Sequence, residues 1–311
     1  MPWSTWIPGK ADCRTDEAGR PAKRGRNATS PARIEDRMGL TYDEFKKEVA
    51  ALTGVDLSAY KSQQMDRRLH SLMGLWGVAD YDAYLHALIN DQARLQEFHK
   101  KLTINVSEFF RNPERYRELA AVILPELCRG GGRLRVWSAG CANGAEAYTV
   151  AILLREAAYP PGASILATDI DRESLRRARA GVYNPNEVRS VPPDLLGKYF
   201  TTDGRHYYLA AEVKEAVEFR QHNLISDPFD GGFDLIICRN VVIYLTEEAK
   251  NELYRRIHAA LRPGGYMMVG GTEPLLNFKQ YGFTNPLTAF YRKEEVFPSK
   301  DGVLAGGSSQ Y

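Results

Sequence analysis

The sequence predicts an α/β protein, an open and mostly parallel sheet with helices on both faces, preceded by a small all-helical module. Three observations predict it. Residues 134–148, LRVWSAGCANGAEAY, run from an apolar strand pattern through a glycine turn into an apolar-periodic helix. Further short apolar runs then alternate with helical patterns towards residue 293. Ahead of all this, residues 40–102 carry apolar positions at helical spacing.

The glycine turn comes first because such a turn is the usual cofactor seat of an open α/β sheet. Gly140 and Gly144 let backbone come close to something bulky, and the helix after them presents free N–H groups. The spacing is G-x-x-x-G, which is not the dinucleotide fingerprint G-x-G-x-x-G. Tight packing of strand on helix is the plainer reading of the same glycines.

At 311 residues the chain is long enough for about two domains and a sizeable core. Its 44% hydrophobic and 26% charged residues are those of an ordinary globular protein. No apolar run reaches the ~18 residues of a membrane span, and no apolar region suited to a secretory leader follows Met1. Cys13, Cys128, Cys141 and Cys238 are scattered, without a C-x-x-C pair. That speaks against a zinc site or disulfide framework and for a reducing cytoplasm. Residues 1–38 hold eight Lys/Arg against five Asp/Glu, leaving 33 against 34 over the rest. A broad nucleic-acid face is therefore not expected.

Taken in order, residues 1–38 are rich in Pro, Gly, Arg, Ser and Ala without periodicity and read as a disordered tail. Residues 39–102 form the helical module. Thr41 with Asp43 and Glu44 opens the first helix, and Thr53-Gly54 ends it. Residues 58–74, 81–89 and 92–102 supply three more helices. Lys61, Arg67, Arg68 and His70 on the second are either a solvated face or a face for an acidic partner helix. Residues 103–132 are a linker: TINVSEFFRN, then a helix from Pro113, then Gly130-Gly131-Gly132. Phe109 or Phe110 is expected in the core. Residues 133–295 hold the sheet, and 296–311 a flexible tail.

Within the sheet region, Pro160-Pro161-Gly162 stops the helix after the glycine turn. Residues 164–168 are the next strand, with Asp169 at its carboxyl end, about 25 residues past the turn, where an acid can accept from two ribose hydroxyls. Asp171 reads as a helix cap. The alternation breaks over residues 182–216, where Tyr183, Tyr199, Phe200, Tyr207 and Tyr208 with Asp203-Gly204 suggest a short hairpin, an insertion at about 190–216. Strands follow at 217–220, 233–238 and 266–269, with Phe290-Tyr291 as the final edge strand. Glu146, Asp169, Asn223, Arg239 and Asn240 all sit just past strand ends, which in an open parallel sheet line one crevice.

TINVSEFFRN, WSAGCANGAEAYT, ATDID, HNL and CRNVVIYL, with the helical module ahead of them, resemble the chemotaxis receptor methyltransferases, the CheR family. The resemblance spans residues 40–293. It implies a class I methyltransferase fold, with a mostly parallel seven-stranded sheet and a small antiparallel insertion. It implies S-adenosylmethionine as cofactor, with S-adenosylhomocysteine as product, and methyl transfer to glutamates on the cytoplasmic helices of chemoreceptors. By motif, Asn105, Ser107 and Arg111 would contact the cofactor or the reacting centre. Glu146 and Asp169 would hold its amino-acid portion or ribose. Asn223 and Leu224 would lie by the adenine, Arg239 and Asn240 would complete the pocket, and Tyr244 would face the methyl group. Arg111 and Tyr244 are the expected catalytic residues, with no metal; an interdomain ion pair is the plainer role for Arg111.

Two departures stand out. The family's turn commonly reads G-E-E-P-Y, whereas here it is Gly144-Ala145-Glu146-Ala147-Tyr148, so only the second acid survives. Residues 201–205 also look short for members that dock on a receptor's C-terminal pentapeptide, so no such tether is expected. A cytoplasmic monomer is expected. The competing readings are a methyltransferase of the same fold with another substrate, a cofactor-binding scaffold without activity and, most weakly, a dehydrogenase.

Overall fold

The computed structural model describes residues 39–102, 107–129, 133–157 and 163–294. Both expected tails, Asn105, the triple glycine and Pro160-Pro161-Gly162 lie outside the described residues.

Local chemistry sets the helical module. Thr41 and Glu44 form a reciprocal capping box at the start of helix Tyr42–Thr53, and Gly54 ends it in the left-handed conformation. Helices Ser62–Trp76, Tyr81–Asn90 and Gln92–Leu102 follow. Their apolar stripes meet in one core around Phe45, Leu69, Tyr84 and Phe98. The second helix begins later than its periodicity suggests. Asp56 instead caps a single 3-10 turn, Leu57–Ala59, and Tyr60 then turns extended.

The linker helix from Pro113 is not uniform. It runs as Pro113–Glu118, widens to a π turn over Leu119–Ile123 and resumes as Leu124–Cys128. Pro125 supplies the physical reason: it has no N–H, and its ring crowds the carbonyl four residues back. The Leu124 N–H accordingly bonds to Leu119 O, five residues back.

Ten strands follow: β1 Arg135–Ala139, β2 Ser164–Asp169, β3 Val182–Tyr183, β4 Phe200–Thr202, β5 Tyr207–Leu209, β6 Val217–Gln221, β7 Phe233–Cys238, β8 Leu261–Val269, β9 Phe283–Leu287 and β10 Phe290–Lys293. Seven form the main sheet in the order β6-β2-β1-β7-β8-β10-β9. The pairs β6/β2, β2/β1, β1/β7 and β7/β8 are parallel, and β10 is antiparallel to both neighbours. Alternating side chains enter a core on each face, Val136 on one and Trp137 on the other, as a doubly covered sheet requires. The remaining strands, β3-β5-β4, make a small antiparallel sheet, so the insertion takes its first strand from residues ahead of 190.

Phe290-Tyr291 was expected at the edge and is not there. It lies between β8 and β9, and β9 is the edge. Pro286 inside β9 explains both the place and the weak sequence signal, because a strand proline is tolerated where no partner needs its N–H. The chain order reverses between β1 and β7, which opens a crevice at their carboxyl ends.

Candidate active site

The crevice begins at the end of β1. Gly140 N and Cys141 N both donate to Thr168 O, at 2.8 and 2.9 Å, which lashes the turn to β2. Gly140 has φ +81°, and a Cβ there would stand 2.6 Å from Val241 Cγ2. Gly144 also has φ +81°, and a Cβ on it would meet Ala178 and Phe219 at 2.9 Å. Both glycines are thus required by the protein's own packing, and the turn they make also walls the crevice.

A cavity of about 140 Å³ fills the crevice. Ser107, Arg111, Glu146, Asp169, Asn223, Leu224, Arg239, Asn240 and Tyr244 all line it. These are the sequence-predicted site residues apart from Asn105, which lies outside the described residues. The helical module contributes Tyr60 and Leu102, so the chamber lies between the module and the sheet.

Two buried carboxylates mark one wall. Glu146 is 8% exposed and accepts from Ser138 Oγ at 2.8 Å, with Arg239 Nη1 3.6 Å from its other oxygen. Burial raises its pKa against the pull of Arg239. Asp169 accepts from Ala142 N at 2.8 Å and Asp171 N at 2.9 Å. Burial nonetheless pushes it up to about 6, because those two donors only partly replace the lost water. Asp171 is the helix cap, bonded to Glu173 N and Ser174 Oγ.

Arg239 is more deeply committed than a ligand-facing arginine need be. At 6% exposure it donates to Tyr116 Oη at 3.1 Å, Arg111 O at 2.9 Å and Asn112 Oδ1 at 2.6 Å. It therefore fixes the backbone that carries Arg111, while its own Nε is buried with no partner among the described residues. Asn223 is committed too: its Nδ2 donates to Gly54 O of the helical module at 2.6 Å. Leu224 O is held by Arg256 Nη1 at 2.9 Å. Phe109 and Phe110 are both fully buried, Phe109 edge-on to Tyr183 and Phe200 and Phe110 edge-on to Tyr116.

The Asn240–Tyr244 loop is shaped by a residue the sequence reading missed. Asn240 has φ +59°. Buried Glu273 accepts from Asn240 N and, at 3.1 Å, from Ile243 N. The signal was present, since Glu273 also lies just past a strand end, that of β8. Tyr244 is gripped from the other side by the helical module: Lys61 N donates to its carbonyl at 2.9 Å, and the Arg68 guanidinium lies 4.9 Å over its ring. Tyr60, placed in a helix by periodicity, instead forms an antiparallel bridge with Leu245.

A seven-stranded sheet with one antiparallel strand before its edge, and a glycine turn with strand-end carboxylates at its reversal point, defines a class I methyltransferase. Residues 105–290 match the description "CheR methyltransferase, SAM binding domain", and residues 40–103 match "CheR methyltransferase, all-alpha domain". The chain belongs to the CheR methyltransferase family. A chemotaxis protein methyltransferase of Listeria innocua is 37% identical over 253 residues, 81% of this chain and 97% of that protein. Those of Salmonella typhimurium and Pseudomonas aeruginosa are 34% and 31% identical, over 78% and 77% of this chain and 88% and 92% of theirs.

The cofactor is accordingly S-adenosylmethionine, and the residues present fit it. Two buried carboxylates with upward-shifted pKa values suit an ammonium and a pair of ribose hydroxyls. The unpartnered Arg239 Nε is a donor left over for an anion. Among the described residues no cluster of side chains is arranged to hold a metal ion, and no helix is long and apolar enough to cross a membrane.

Proposed function

We propose that the protein methylates glutamate side chains on the cytoplasmic helices of chemoreceptors, forming methyl esters in sensory adaptation. The observation that carries this is Arg111 lining the same chamber as Glu146, Asp169 and Tyr244, beneath a helical module of the CheR type. Glu146 and Asp169 hold the ammonium and ribose ends, Ser107 approaches the cofactor from the linker, and Asn223 and Leu224 flank the adenine. Asn240 and Arg239 close the pocket.

S-adenosylmethionine, when bound, supplies a methyl group on a sulfonium, so that a neutral thioether can leave. The acceptor oxygen forms the new carbon–oxygen bond as that thioether departs. A glutamate has a pKa of about 4.3 and is already ionised at neutral pH, so no general base is required. Arg111 fixes one carboxylate oxygen and aims the other, since a planar guanidinium sets the orientation of the carboxylate it holds. Its role is positioning, because the acceptor loses its charge as the transition state forms. Tyr244 orients the acceptor at the methyl end, and the helical module excludes water.

The receptor is engaged by a cytoplasmic monomer without a pentapeptide tether; the turn at Asp203–His206 is short and closed on itself, with Asp203 accepting from Arg205 N and His206 N. Purified protein with labelled cofactor and receptor-containing membranes should place label on the receptor in alkali-labile form. Label that survives alkali, or goes to another component, overturns the glutamate reading.

A further inference from the structure

We infer that Glu187, in the small β insertion, is a positioning residue that holds the glycine turn and the Arg111 segment in register with each other. Glu187 lies on the short helix Pro185–Val188, outside the chamber lining. Its Oε1 accepts from Asn143 Nδ2 at 2.8 Å, and Asn143 is the residue immediately before Gly144. Asn143 is 1% exposed and the Glu187 side chain 13%, so this bond is largely sheltered from water. The same Nδ2 lies 3.4 Å from Ser107 O, at the start of the described Arg111 segment.

The backbone of Glu187 grips that segment directly, its carbonyl accepting from Phe109 N at 2.9 Å. Two residues on, Arg189 Nε donates to Glu108 Oε2 at 2.7 Å. One helical turn of the insertion thus touches both walls of the chamber. Glu187 itself is fixed by Arg177 Nη2 at 2.9 Å and by the capping bond from Asn184 N to its Oε2 at 2.8 Å. On this account the insertion is part of the apparatus that sets the distance between cofactor and acceptor. The inference rests on the chamber being the methyl-transfer site, but its test reads cofactor affinity and so stands apart from the identity of the acceptor.

The test exchanges the polarity of the buried bond. Asn143→Asp sets two carboxylates against each other, and adding Glu187→Gln lets the new amide donate to the new carboxylate. We expect Asn143→Asp alone to weaken S-adenosylhomocysteine binding about tenfold, or to prevent folding. The double variant should fold and recover part of that affinity, since the exchanged pair regains its own hydrogen bond but not the donation to Ser107 O or the bond from Arg177. A merely structural contact would lower the melting temperature of the single variant and leave the Kd of its folded fraction unchanged. That result, or a double variant that binds no better than the single one, overturns the inference.

Discussion

At the residue scale, burial decides how the two site carboxylates behave. Asp169 is held at about 6, chiefly by burial, while Glu146 is raised for the same reason. With Glu146 and Asp169 in their proposed roles, donors from a bound ribose or ammonium would favour the ionised forms and pull both pKa values down. The sign follows: cofactor affinity is full above the raised pKa and falls as pH drops through it. Titration with S-adenosylhomocysteine should show a Kd several-fold weaker at pH 5 than at pH 7.5, with proton release near pH 6. A flat Kd across that range would remove both acids from the ligand. The placement of Asp169 at the end of β2 and of Glu146 beyond β1 was legible in the sequence. The commitments of Arg239 and Asn223 were not, because their partners Tyr116, Asn112 and Gly54 lie more than a hundred residues away.

At the element scale, the Asn240–Tyr244 loop is the part most exposed to single changes. Gly270 leaves room for Glu273: a Cβ there would sit 2.5 Å from Glu273 Oε2 and 3.3 Å from Asn240 N. Gly270→Ala should therefore cost about 1–3 kcal/mol, the usual range for overpacking a filled interior. It should also lower kcat, since Glu273 anchors the loop that carries Tyr244. Thermal unfolding together with turnover at saturating substrate checks this, and unchanged kcat would separate the loop from the chemistry. Elements with strong periodicity, such as Tyr81–Asn90 and Phe233–Cys238, were readable from sequence within a residue or so. Those that escaped have physical reasons. Pro286 hid β9, Pro125 forced the π turn, and Tyr60 obeys a bridge to Leu245 rather than its own helical spacing.

At the scale of the whole molecule, the helical module acts as one wall of the chamber. It is joined to the sheet by the Tyr60–Leu245 bridge, by Thr246 N donating to Ala59 O at 2.9 Å, and by the Asn223–Gly54 bond. Tyr60 is the module's aromatic contribution to the lining, and burial pushes its hydroxyl up to about 12. Tyr60→Ala should weaken cofactor binding by about tenfold while the sheet domain stays folded, as read by calorimetry and circular dichroism. Unchanged affinity would show that the module merely sits beside the site. The fold class and the crevice were legible at this scale because alternating strands and helices leave few topologies. The contact between module and sheet was not, because single main-chain bonds leave no periodic trace in a sequence.

The proposed role of Arg111, aiming the acceptor carboxylate inside the cofactor chamber, is tested by Arg111→Ala. S-adenosylhomocysteine affinity and receptor methylation would be measured on the same preparation. Methylation at saturating cofactor should be abolished while the Kd changes by less than tenfold. Normal turnover at saturation, with only cofactor affinity lost, would contradict it and make Arg111 a cofactor ligand alone.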